Sequence, residues 1–133
     1  MQALFRKTSI VAIGILFIVA GTNHFINPKF YTNITPPYIP AHLSMVYVSG
    51  VFEVLGGLGA MIPLLRRFAG WGLICLLIAV SPVHFHMLAN SHDYAQVPYW
   101  LLLARLPLQA ALIVWVWWAT LAKHHLQARS ASQ

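Results

Sequence analysis

The sequence predicts an all-α membrane protein, a bundle of four transmembrane helices with a proline-rich interfacial loop between the first two. Of the 133 residues, 59% are hydrophobic and 8% are charged, whereas a soluble domain carries about 25% charged residues. The apolar residues also fall into four stretches, each long enough to cross the roughly 30 Å hydrocarbon core of a bilayer. A single domain over residues 1–133 accounts for this pattern.

The four predicted spans cover residues of about 5–26, 44–64, 68–88 and 99–121. Basic residues precede the apolar core of the first span, as they would in a cleaved signal peptide. However, Ala20-Gly21-Thr22 makes a poor cleavage site, which favours an uncleaved helix. Pro82 and Pro107 lie inside the third and fourth spans, where each is expected to interrupt the helix.

The segment from Asn27 to His42 is predicted to be the interfacial loop. Its prolines exclude a spanning helix and allow at most a short helical turn, and they are Pro28, Pro36, Pro37 and Pro40. Its aromatic residues suit the headgroup level of a membrane.

The basic residues predict the orientation. With four spans, both termini lie on one side, which also holds most of the cations: Arg6, Lys7, Arg66, Arg67, Lys123 and Arg129. The other side holds Lys29 alone. The positive-inside rule therefore places both termini in the cytoplasm of a bacterial-type inner membrane, with the proline-rich loop facing outward.

Glu53 lies in the middle of the second span, where a lone charge costs roughly 2.5–3.5 kcal/mol. It lies about 13 Å from the outer end of its span, and Arg105 lies about 9 Å from the same end of the fourth. We therefore expect a Glu53–Arg105 ion pair, with Gln109 on the same helix face as Arg105. Such a pair can be purely structural, or it can belong to a functional pocket.

Histidines crowd the predicted outer half, yet they form no clear metal site. His84 and His86 are only weak candidates, because two residues apart on a helix they point to nearly opposite sides. The prediction is therefore no metal site. Cys75 is the only cysteine, which excludes an internal disulfide, and the scattered cations argue against nucleic-acid binding.

Several segments together resemble the DoxX family of small four-helix membrane proteins. They are residues 21–25 with Pro28, Ile34 and Pro36 before residues 49–57, residues 67–72 and residues 105–109. The family takes its name from a subunit tied to thiosulfate:quinone oxidation, and most of its members are uncharacterised. Where relatives tend to have Pro-Ala-Asn, this chain has Pro82-Val83-His84, so His84 is not carried over. The resemblance implies a site made of His24, Glu53, Arg105 and Gln109.

Three functions remain open at this stage. The first is an accessory subunit of a membrane redox system, with a small-ligand pocket in the outer half. A quinone is one candidate ligand, and a redox partner is required because nothing in the chain carries an electron alone. The second is a structural or assembly protein, whose Glu–Arg pair only holds the bundle together. The third is a protein that handles a metal or small solute, which would need to form a homo-oligomer. Whether the protein is an enzyme is left open.

Overall fold

A computed structural model describes residues 1–95 and 97–122 of the chain. The helices in this part are α1 (Gln2–Ile26), α2 (Pro28–Ile34), α3 (His42–Met61), α4 (Arg66–Ala89) and α5 (Tyr99–Thr120), with a 3-10 turn at Ser91–Tyr94. Lys123 and Arg129, which were used to predict the orientation, lie outside the described residues.

The prediction of an all-helical chain with four candidate spans is confirmed. Helices α1, α3, α4 and α5 are long and apolar enough to cross a membrane. In the most apolar window of each, at most 39% of the residues are buried within the protein. The remaining apolar surface needs an apolar solvent, since a monomeric soluble protein rarely exposes large apolar patches.

The predicted end of the second span and both predicted helix interruptions differ from the structure. The second long helix ends at Met61, because Ile62 is extended, as expected for the residue before a proline. Pro82 and Pro107 do not break their helices, which continue through both positions.

Between α1 and α3, the predicted loop contains the seven-residue helix α2. Pro28 is at its first turn, a position where the missing N–H of proline costs nothing. The loop then continues through the buried Pro36 to Ala41, which has a φ of 50° and directly precedes α3.

Helices α1 and α3 pack against each other through two pairs of glycines. A Cβ on Gly21 would lie 2.6 Å from the carbonyl oxygen of Gly50, and a Cβ on Gly57 would lie 2.7 Å from that of Gly14. The two glycines in each helix are seven residues apart. The two antiparallel backbones therefore touch at two points, about two helical turns apart. This close approach determines which side chains of α1 and α3 can meet.

The other long helices complete the contacts. Helix α3 packs against α4, where Gly56 accommodates Leu73, and α4 packs against α5, where Gly70 accommodates Thr120. Helix α5 returns to α1, since the Arg6 Nε donates a 2.7 Å hydrogen bond to the carbonyl of Ala119. A guanidinium is well placed there because the last carbonyls of a helix lack internal donors and carry partial negative charge.

Candidate functional site

The carboxylate of Glu53 faces His24 across the α1–α3 contact. His24 Nε2 lies 3.5 Å from Glu53 Oε2, and the two side chains are only 10% and 14% exposed. His24 follows Gly21 by three residues in α1, and Glu53 follows Gly50 by three residues in α3. Because the helices are antiparallel, the two residues lie on opposite sides of the Gly21–Gly50 contact. Their Cα atoms are therefore about 9 Å apart along the helix axes. The side chains still converge, because each Cβ leans towards the N-terminus of its own helix.

The hydrogen bonding of His24 determines where its protons lie. Its Nδ1 is 3.0 Å from the carbonyl oxygen of Val46. A carbonyl only accepts, so Nδ1 carries a proton and donates it. Nε2 then has a second proton only if the ring is cationic. When the pair holds one exchangeable proton, the contact is an imidazolium beside a carboxylate or a neutral imidazole beside a carboxylic acid. At 3.5 Å, the two atoms are in contact but are not hydrogen-bonded.

Glu53 Oε2 is buried, and apart from this long contact it has no hydrogen-bond partner. An orphaned buried acceptor is costly, and such groups in native proteins call for an explanation, such as a catalytic role or a bound ion or water.

Helix α2 covers this pair through Tyr31. The ring of Tyr31 stacks on that of His24, with centroids 3.9 Å apart and 29° between the planes. Its hydroxyl oxygen accepts a 2.7 Å hydrogen bond from Asn23 Nδ2, and Asn27 Nδ2 donates in turn to Asn23 Oδ1 at 2.8 Å. An aromatic ring, held by an amide donor, therefore lies over the imidazole.

The predicted Glu53–Arg105 ion pair is not formed. Among the described residues, the contact of Glu53 with a basic side chain is the one to His24, and the Nη1 of Arg105 lies 3.8 Å from the sulfur of Met87 on α4. Comparing depths along the membrane normal could not determine this outcome. Depth says nothing about rotation around the helix axis, and the glycine contacts turn Glu53 towards α1.

Gln109, predicted to lie beside the Glu53–Arg105 pair, has its partner on α4. Its amide is buried and donates to the main-chain carbonyl of Leu77 on α4. The hydroxyl of Ser81 donates to the same carbonyl. This carbonyl lies one residue before that of Ile78, which loses its helical donor to Pro82. Gln109 therefore links α5 to α4 by a hydrogen bond close to Pro82.

The predicted four-residue site is thus divided between two pairs of helices. The sequence matches, over residues 13–120, the family described as "Domain of unknown function (DUF8561)". The chain belongs to this family. No curated protein and no solved structure matches the chain.

The region matched to DUF8561 includes all four predicted site residues. Because the function of the family is unknown, membership does not identify a reaction. The resemblance to the DoxX family stays a prediction.

The two weak metal candidates of this DUF8561 protein have different surroundings. The Nδ1 of His84 is buried without a hydrogen-bond partner, whereas His86 lies edge-on to Tyr38 and Tyr94. Within residues 1–95 and 97–122, no three side chains of His, Cys, Asp or Glu come close enough to hold a metal ion.

Sequence reasoning missed the residues around the pair. Tyr31, Asn23 and the Val46 carbonyl complete the surroundings of His24. Asn23 lies in a segment that resembles the DoxX family, but no sequence pattern indicated a role beside His24 for any of the three. The available signal was the equal seven-residue spacing of glycines in the first and second spans. Aligned as antiparallel partners, these glycines would have placed Glu53 beside the first helix.

Open grooves on the protein lie elsewhere. One is an apolar groove along α5, lined by Ala110, Ala111, Val114, Trp115 and Trp118. Another runs along α1 near Lys7 and Val11. Neither of these two grooves is lined by His24 or Glu53, and the Tyr31 ring of α2 covers His24.

Proposed function

We propose that this chain is an integral protein of a bacterial-type inner membrane, in which the four long helices form a bundle. The mutual contacts of α1, α3, α4 and α5 support this arrangement, as does the apolar surface that they expose. The loop carrying α2 would lie at the outer interface. Tyr38 of this loop contacts His86 near the end of α4, which fits a segment lying across the ends of the helices.

Both termini are expected to be cytoplasmic, because the described cations cluster at the ends where α1 and α4 begin. Reporters active only in the periplasm or only in the cytoplasm, each fused after Gln133, provide the test. Cytoplasmic activity alone is expected. Periplasmic activity would reverse the orientation and place the His24–Glu53 pair nearer the cytoplasmic side.

For the biochemical role, we propose an accessory subunit of a membrane redox system that exchanges a proton with a small aromatic ligand, of the quinone class. The observation that carries this proposal is the contact between the buried His24 and Glu53 side chains beneath a stacked aromatic ring. Ionisable groups inside a membrane are costly and are usually found on ligand or proton pathways. A histidine is suited to exchanging a proton near neutral pH.

The position of Tyr31 indicates the shape of the ligand. Its ring lies flat on His24, and its oxygen accepts a hydrogen bond from Asn23. A quinone head group has the same two features, a flat ring and a carbonyl oxygen that accepts. If α2 moved away, such a ring could take the place of the Tyr31 ring, with its carbonyl oxygen bound to Asn23.

Reduction of a quinone to a quinol takes up two electrons and two protons. The His24–Glu53 pair can pass on protons, but no side chain of this composition is an evident electron carrier, so the electrons would come from a partner redox subunit. Such a partner, or a second copy of the chain, would pack against the apolar helix surfaces within the bilayer.

The test is the thermal stability of the purified protein in detergent with a panel of short-chain quinones. A ligand at a hundred times its dissociation constant is expected to stabilise the wild type by about 2.7 kcal/mol. Asn23→Leu should lose most of this gain, because it removes the amide donor while leaving His24 and Glu53 intact. Thr22→Val is the matched control, since the neighbouring Thr22 is exposed and its hydroxyl bonds only to the Ile18 carbonyl of its own helix.

Two results would contradict the quinone site: no quinone stabilises the wild type, or Asn23→Leu responds as the wild type does. The structural function would then be preferred. One observation already supports the structural function as the second candidate. His24 is hydrogen-bonded to the Val46 carbonyl and stacked on Tyr31, as expected of a side chain that only holds helices together.

A further inference from the structure

Arg105 is a permanent cation that makes no ion pair with a carboxylate of the described residues. The whole chain has two acidic residues, Glu53 and Asp93. Glu53 lies against His24, and Asp93 is exposed and makes no ion pair with a described residue. The polar contact of Arg105 is the thioether of Met87, which is only a weak acceptor.

A second donor lies next to this cation. His84 and Met87 are three residues apart on α4 and so share a helix face. Arg105 reaches this same face of α4 through its contact with Met87. The Nδ1 of His84 is buried and has no hydrogen-bond partner among the described residues. Two nitrogen-bearing side chains therefore lie on the Met87 side of α4, and neither has a strong acceptor among the described residues.

The guanidinium of Arg105 also lies near the start of α5 and the end of α4. The Cα of Arg105 is six residues, or about 9 Å, from the start of α5. Its side chain leans towards that N-terminus, as helical side chains do, and reaches Met87, which is two residues, or about 3 Å, from the end of α4. Arginine commonly extends in this way towards the polar boundary of a membrane. The charge is thus held near the end of α4, beside the buried Met87.

We propose that Arg105 and His84 form a site for a phosphate monoanion, either the headgroup of an acidic phospholipid or free phosphate. A guanidinium binds phosphate oxygens through two parallel N–H donors, and an imidazole N–H adds a third. The site is separate from the His24–Glu53 pair and does not depend on the quinone proposal.

The full chain is purified in dodecyl maltoside, and its melting temperature is measured with phosphatidylglycerol, with phosphatidylcholine or with sodium phosphate. We expect phosphatidylglycerol or phosphate to raise the melting temperature, and phosphatidylcholine not to. A response to phosphatidylglycerol alone identifies a lipid site, whereas a response to sodium phosphate identifies a site for the free anion. If neither raises the melting temperature above that with phosphatidylcholine, the proposal is overturned.

The variant Arg105→Gln is expected to weaken binding of the responding anion roughly tenfold or more, since hydrogen bonds to charged groups are individually strong. Arg67→Gln is the matched control, an exposed arginine in the first turn of α4, at the opposite end from His84, and should bind as the wild type does. Equal binding by Arg105→Gln and wild type would contradict the site. Glu53→Gln should leave binding unchanged, and tighter binding in this variant would also contradict it, since Glu53 would then be the natural partner of Arg105.

Should Arg105→Gln fail to fold, native mass spectrometry of the wild type and of His84→Gln provides the second measurement. The wild type is expected to retain phosphatidylglycerol or phosphate in preference to phosphatidylcholine, and His84→Gln to retain less of the anion. Equal retention of anionic and zwitterionic lipid by the wild type, without bound phosphate, would overturn the proposal.

Discussion

Gly21→Ala is expected to destabilise the protein by about 1–3 kcal/mol, the usual cost of adding a carbon to a filled interior. The new Cβ would lie 2.6 Å from the Gly50 carbonyl oxygen and 2.9 Å from the Cβ of Glu53. The nearest of these atoms belongs to the backbone of α3, so the conflict is relieved only by moving the two helices apart. Thermal unfolding in detergent measures the loss.

Gly72→Ala is the matched control, because a Cβ at Gly72 would meet no atom within 4 Å. In a helix, the change from glycine to alanine is worth about 0.5–1 kcal/mol of stabilisation when nothing opposes it. The two variants should therefore change the melting temperature in opposite directions. A Gly21→Ala protein as stable as Gly72→Ala would mean that α1 and α3 are not in close contact.

The four long helices could be predicted because their cause is local. Each is a run of apolar residues, and such a run forms a helix in a membrane whatever lies beside it, since every backbone group must be bonded within the segment. The predicted second span, 44–64, ends three residues after α3, whose last residue is Met61. The residue before a proline already leaves the helix.

The partners of the polar side chains could be predicted only in part. That Glu53 needs a partner followed from its apolar surroundings. Which partner it meets depends on rotation around two helix axes, and the glycines at 14, 21, 50 and 57 decide that rotation by allowing α1 to approach. The position of Tyr31 depends on a loop with four prolines, whose path no periodic pattern describes.

The separation of Arg105 from Glu53 changes how the charges are interpreted. In a Glu53–Arg105 pair, each ion would have neutralised the other, and neither would have been left to bind a ligand. In the structure, Glu53 lies against His24, and Arg105 lies beside Met87 near the end of α4. The protein therefore has two polar centres, one that can exchange a proton and one that can hold an anion.

His24→Leu is expected to cost about 3 kcal/mol of stability, within the range for removing one partner of a buried pair. It leaves the Glu53 carboxyl in apolar surroundings without the imidazole that lies beside it. Glu53→Gln should cost less, because glutamine keeps the shape of the side chain and its amide can donate to His24 Nε2. The double variant should lose less than the sum of the two, with a coupling of about 1–3 kcal/mol.

The matched comparison pairs Glu53→Gln with Arg105→Gln, in the same detergent and by the same thermal unfolding. These losses should add to within about 0.5 kcal/mol, as they do for sites that share no contact. Additive losses for His24 and Glu53, together with strong coupling between Glu53 and Arg105, would restore the ion pair expected from the sequence. That result would also remove the proposed proton-exchanging pair, because an arginine stays protonated and leaves the Glu53 carboxylate without a proton to pass on.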